Sequence, residues 1–157
     1  MKPNIGIADG DREAVARILN TLLADEYVLY TKTRNYHWNV VGPQFNDLHR
    51  FFESLYTPLN DVIDDVAERA RALGGRAFGS LAEFTKAARL PEDPGAVPAA
   101  REMLASLLAD HESVITSLRA DVETVTDEHG DAATADFLTG LLAQHEKTAW
   151  MLRAHLE

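Results

Sequence analysis

The chain has 157 residues, 25 of them acidic and 15 basic, for a formal net charge of −10. It holds no cysteine, which excludes a disulfide scaffold, a thiolate metal site and a cysteine nucleophile. Its 46% hydrophobic content suits one self-supporting domain and not a disordered acidic polymer, and no apolar run approaches the roughly 20 residues that span a bilayer. Met1-Lys2-Pro3-Asn4 lacks the charged-then-apolar pattern of a signal peptide, so a soluble cytoplasmic protein with no membrane partner is expected. The acid excess argues against a generic nucleic-acid binder, whose phosphate contacts need a basic footprint, and favours cations as partners.

Apolar residues recur at helical spacing almost throughout. Val15, Ile18, Leu19, Leu22, Leu23 and Tyr27 form the stripe of a first long helix, with Asp9 or Asp11 as its expected cap and Gly42-Pro43 as its stop. A second stripe, Leu48, Phe52, Leu55, Leu59, Val62, Val66 and Leu73, ends at Gly74-Gly75. Pro58 lies inside it, where a missing backbone donor and a crowded preceding turn predict a kink, or less readily a break. Leu81 to Ala88 reads as a short helix, and Pro91, Pro94, Gly95 and Pro98 as a loop. A third long helix carries Met103, Leu107, His111, Val114, Leu118 and Val125. After a turn at His129-Gly130-Asp131, with Asp131 placed to cap, a fourth carries Leu138, Leu141, His145, Ala149 and Leu152. No alternating run reads as a strand. Four long helices, two short connections and one long crossover with its own short helix predict an all-α, ferritin-like four-helix bundle, a single domain over residues 1–157.

Metal-ligand residue types gather on the first hairpin. His37 and Trp38 lie near the end of the first helix, His49 and Glu53 near the start of the second, and Asp61, Asp64, Asp65 and Glu68 toward its end. Imidazole plus carboxylate suits iron, manganese or zinc. His37 and His49 sit at equal offsets from Pro43, so an antiparallel hairpin puts them at similar height. Asp64 and Glu68, four apart, share one helical face. Asp64 is 15 residues from His49, about 22 Å along a helix axis, whereas metal–ligand bonds are about 2.0–2.2 Å. The two pairs therefore cannot share an ion within one chain. Two hairpins packed antiparallel about a two-fold axis would bring them together and make two equivalent sites. The alternative is purely structural: His37 complementing a helix dipole, His49 capping or facing solvent, and Asp64 and Glu68 pairing with Arg69 or Arg71.

The string His37-Trp38-Asn39-Val40-Val41-Gly42-Pro43-Gln44-Phe45, followed by Leu48-His49, Phe52-Glu53, Asp64, Ala67-Glu68-Arg69 and Leu73-Gly74-Gly75, resembles the Dps family, the miniferritins named for DNA protection during starvation. The stretch from His145 to Arg153 is similar too, so the resemblance runs from about Asp11 to Leu156. It implies a hollow homododecamer whose ferroxidase sites lie at two-fold interfaces, with His37 and His49 from one subunit and Asp64 and Glu68 from its partner. Glu53 falls where some members carry an acidic residue in or beside the site, and Trp38 where the family places an electron-supplying tryptophan. The implied reaction is oxidation of non-haem Fe(II) by hydrogen peroxide, or by dioxygen, followed by storage of Fe(III) mineral. The implied iron path is an acidic three-fold pore, with Asp127, Asp131 and Asp136 in its region. For Asp131 and Asp127 the bland reading is a helix cap and a solvated surface acid.

The remaining candidates read otherwise. His111 and His145 fall on apolar stripes and read as buried, hydrogen-bonded histidines, with a bundle-interior metal site that includes Glu26 as the alternative. No Glu-x-x-His occurs, and Ile115 and Ala149 stand where a His-Glu-x-x-His motif needs its second histidine. Trp150 reads as packing. DNA binding is not expected: residues 1–10 carry one lysine and one aspartate, no basic extension follows Leu156-Glu157, and twelve copies would carry about −120 formal charges.

Overall fold

A computed structural model describes residues 2–95 and 97–157; Met1, and Ala96 within the expected proline-rich loop, lie outside the described residues. Among the described residues there are five helices and no strand: α1 (Asp9–Asn39), α2 (Phe45–Ala72), α3 (Leu81–Ala87), α4 (Ala100–Asp127) and α5 (Ala132–Ala154). None is long and apolar enough to cross a membrane.

The start of α1 differs from expectation. A capping residue has extended backbone and stands one position before the helix. Ala8 occupies that position and supplies no side-chain cap. Asp9 and Asp11 instead lie inside the first turn, where carboxylates complement the positive end of the helix dipole. Asp9 pairs with Lys2 at 2.6 Å and with Arg12, and Asp11 meets His129 Nδ1 at 3.0 Å.

The first hairpin turns at Gly42, whose φ of +112° is open to glycine and costly for other residues. α2 is continuous through Pro58, so the break does not occur. Ser54 and Pro58 are both exposed, so water can serve the Ser54 carbonyl that proline leaves without a helical donor. At the far end, Gly75 passes so close to α1 that a Cβ there would stand 2.6 Å from the Ala16 methyl carbon.

The long crossover is fastened to α1 by side chains rather than by its own regularity. Asn20 accepts from the Phe78 N–H at 2.8 Å and donates to the Arg76 carbonyl at 2.9 Å. Tyr27 stacks on Phe84 of α3 with centroids 4.0 Å apart. Buried Asp25 accepts from the Arg89 N–H at 2.6 Å, from Arg89 Nε at 2.7 Å and from the Leu90 N–H at 3.2 Å. α1 lies along α2 and α4 along α5, and α1 packs on α4 to join the hairpins. Leu19, Leu22, Leu29, Phe52, Leu107, Leu118 and Leu138 fill the interior. A buried ion pair, Lys32 to Asp110 at 2.7 Å, links α1 to α4. α2 and α5 meet only sparsely, which leaves a groove between them.

Candidate metal centre

His37 is in the last turn of α1 and His49 in the first turns of α2. Each donates its Nδ1 hydrogen to the other's backbone carbonyl, at 2.7 Å for His37 to His49 O and 2.8 Å for His49 to His37 O. A carbonyl can only accept, so each Nδ1 carries the hydrogen of its bond and Nε2 is the nitrogen of each ring left for a metal. The rings stack with centroids 3.8 Å apart and 21° between planes. Tyr56 meets His37 edge-on at 5.2 Å, and Phe45 lies 5.1 Å from His49. Holding the non-ligating nitrogen in a hydrogen bond is how proteins orient an imidazole for metal. The equal-offset reading from sequence thus holds. The reciprocal imidazole–carbonyl bonds were not legible, because they depend on the approach of two backbones.

The carboxylates stand apart. Glu53 is exposed one turn beyond His49. Asp64 and Glu68 are exposed one turn apart on α2, about 22 Å and about 28 Å from His49 at the usual helical rise. The arginines that could have neutralised them are engaged elsewhere. Arg69 donates to Thr134 Oγ1 at 2.8 Å and to Asp131 at 3.1 Å, and Arg71 donates to the Gly75 carbonyl at 2.6 Å. Among the described residues Asp64 and Glu68 make no ion pair, and no three His, Asp or Glu side chains converge to hold a metal ion within one chain.

Beside the histidines is a feature that sequence reading missed. The Arg34 guanidinium lies 4.9 Å from the Trp38 ring, 5.2 Å from Tyr56 and 5.4 Å from Tyr30, and donates to the Tyr30 hydroxyl at 2.7 Å. Such cation–π contacts each contribute about 0.5–1 kcal/mol at exposed sites. Trp38 is nevertheless 62% exposed. Helical spacing of Tyr30, Arg34 and Trp38 was the available signal; Tyr56 joins only through the hairpin.

Comparison with known proteins follows the same lines. The ferritin-like domain family matches residues 16–157. The chain is 50% identical over 154 residues to an uncharacterized low temperature-induced protein of Nostoc sp. (strain PCC 7120), covering 98% of this chain and 86% of that one. It is 42% identical over 146 residues to the DNA protection during starvation protein of Brevibacillus brevis, covering 93% of this chain and 97% of that one. The crystal structure of the Dps protein from Vibrio cholerae O1, described as a member of a broad superfamily of ferritin-like diiron-carboxylate proteins, superposes with a TM-score of 0.93 at 33% identity, covering 99% of this chain and 97% of that one. This chain belongs to the Dps family.

Two further groups complete the inventory of this Dps-family chain. At the α4–α5 turn, Asp127 and Asp136 are exposed, whereas Asp131 is buried. Asp131 accepts from the Thr134 N–H at 3.0 Å and from Thr134 Oγ1 at 2.5 Å, as an N-cap does, and pairs with Arg69. In the bundle interior, His111 and His145 are buried and hydrogen-bonded to each other, Nδ1 to Nδ1, at 2.9 Å. Burial, and secondarily the neighbouring His145, push the His111 pKa well below the usual 6.5.

Proposed function

We propose that this chain assembles into a hollow dodecameric shell that oxidises Fe(II), with hydrogen peroxide as the principal oxidant, and stores the Fe(III) product as mineral. The observation that carries this reading is the His37–His49 pair. Two imidazoles have Nδ1 occupied by carbonyls and Nε2 free, while two uncommitted carboxylates stand on the same helix out of their reach. A second copy about a two-fold axis supplies Asp64 and Glu68 to His37 and His49, and takes the same in return. Glu53, next to His49 on the helix, adds a further oxygen donor at the edge of the site.

Iron is the substrate here. Imidazole and carboxylate together hold Fe(II) and stabilise the higher charge of Fe(III). Two Fe(II) give up two electrons, and one peroxide takes them with two protons and leaves as two waters. Paired electron uptake avoids the one-electron cleavage that would release hydroxyl radical. Trp38, one residue after His37, would supply an electron when only one iron is bound. Exposed Asp127 and Asp136 draw cations toward the α4–α5 end of the bundle, where a ring of carboxylates in a low-dielectric passage concentrates them. Asp131 contributes to that end as a cap and ion-pair partner. A DNA-condensing role, suggested by the names of relatives, is not favoured by a chain of net charge −10.

The direct test is stopped-flow oxidation of Fe(II) by peroxide. His37→Ala is expected to lose most of the rapid phase while keeping the assembled state. Wild-type kinetics in that variant would overturn the assignment.

A further inference from the structure

Arg34 is held in place but not satisfied. Three aromatic rings and the Tyr30 hydroxyl fix its guanidinium. Its Nε is buried and has no hydrogen-bond partner among the described residues. Arg69, Arg76 and Arg89 each pair with a carboxylate, whereas Arg34 has none among the described residues. A charged donor taken from water without an acceptor is costly, so this N–H calls for a partner.

An acidic cavity lies farther along the same hairpin. It measures about 260 Å³ and is walled by Tyr27 of α1, Asn60, Asp61 and Asp64 of α2, and Phe78 and Phe84 of the crossover. Asp61 is exposed and meets the Asn60 side-chain amide at 3.5 Å. Aromatic and carboxylate walls suit a guanidinium, which stacks on rings and pairs with carboxylates. Arg34 does not reach this cavity in its own chain. Tyr30 is level with Tyr56, and His37 with His49. Arg34 is therefore level with positions 52–53 of α2, about 13 Å along the axis from Asp61.

A second copy brings the two together, if the chains pair as proposed above, with His49 of one meeting Asp64 and Glu68 of the other. In antiparallel helices, each step forward along one is a step back along its partner. Positions 52–53 then face positions 60–65 of the partner's α2, the stretch that carries Asn60, Asp61 and Asp64 on the cavity wall. Of the carboxylates in that stretch, Asp64 is committed to metal and Asp65 is not part of the wall. Asp61 is left.

We propose that Arg34 of each chain seats in this cavity of its partner and pairs with the partner's Asp61. The contact is made twice about the axis. Opposite charges across an interface fix its register, and this pair requires the same register as the shared metal site. It sets the histidines of one chain against the carboxylates of the other before iron binds. Engaged with Asp61, the guanidinium also leaves Asp64 free for metal. Arg34 is thus a positioning residue, acting through the pairing of the chains.

Charge reversal on separate chains tests this. Arg34→Asp alone and Asp61→Arg alone each set like charges opposite one another twice per pair. Each should raise the concentration of half-dissociation by about tenfold or more, read by native mass spectrometry on dilution. When the two variants are mixed, a mixed pair has opposite charges at both contacts. Mixed pairs should outnumber like pairs by about tenfold or more and regain wild-type resistance to dilution. The milder Arg34→Gln and Asp61→Asn should weaken assembly non-additively when combined. Random mixing of the reversed chains, or additive effects of the milder pair, overturns the proposal. Assembly, not iron oxidation, is the readout. Recovery of oxidation in mixed His37→Ala and Asp64→Ala shells, beside random mixing of the Arg34 and Asp61 variants, refutes this pair alone. Preferential mixing beside wild-type oxidation in His37→Ala refutes the iron assignment alone.

Discussion

Sharing of the metal site between two chains has a numerical consequence. His37→Ala removes one imidazole and leaves the carboxylates intact; Asp64→Ala does the reverse. The separation of His49 from Asp64, about 22 Å along α2, is some tenfold longer than a metal–ligand bond of about 2.0–2.2 Å. Within one chain neither variant can therefore repair the other. In a two-fold pair containing one of each, one site receives both defects and the other receives both intact halves. Random co-assembly at equal amounts makes half of all pairs mixed, so about a quarter of wild-type sites should be whole. Each variant alone should oxidise Fe(II) near background, and dissociated, mixed and reassembled shells should recover about a quarter of the wild-type peroxide-driven rate. Native mass spectrometry verifies mixing. No recovery in verified mixed shells would refute the shared site, as would full activity in unmixed Asp64→Ala.

Three other outcomes are expected. Asp131→Ala removes the cap of α5 and the partner of Arg69; loss of the cap alone costs about 1–2 kcal/mol, readable as a lower urea midpoint, while the initial iron uptake rate should fall less than in Asp136→Ala. His111 is neutral when folded and titrates near 6.5 when unfolded, so below that pH the unfolded chain binds the extra proton and stability falls, by up to about 1.4 kcal/mol per pH unit. Urea unfolding at pH 7.5 and 5.5 should show this decline in wild type and a shallower one in His111→Gln; a steeper or equal decline in the variant contradicts the assignment. At about 0.15 M salt, where phosphate-backbone binding needs several Lys/Arg contacts, the shell should not retard duplex DNA in a gel, and tight retention would place phosphate binding on local arginine patches.

Much of the architecture was legible because its causes are local. Helical stripes, the Gly42-Pro43 stop, Asp131 before α5 and the short helix from Leu81 each depend on side chains within a few residues of one another. The matched heights of His37 and His49 also follow from local facts, a tight turn and equal arm lengths. The cap of α1 was misread because two aspartates outweighed an alanine, although capping depends on backbone position first. Pro58 was expected to kink α2 or, less readily, break it; α2 runs unbroken through it, with Ser54 and Pro58 both exposed.

The sequence by itself determined that this chain is a cysteine-free, acidic bundle of four long helices, and that its histidine and carboxylate pairs are too far apart to meet in one copy. Helix period and rise are constants, so the spacing of residues along one element is as good as a measurement. Only the tertiary structure decided which atoms of those residues remain free. The carbonyls that occupy His37 and His49 Nδ1, the Arg69 that leaves Asp64 and Glu68 unpaired, and the chain from Glu26 through His145 to His111 all join residues between 12 and 119 positions apart. Partners at such separations are chosen by how helices cross. No periodicity in the chain encodes which lone pair is left over when they do.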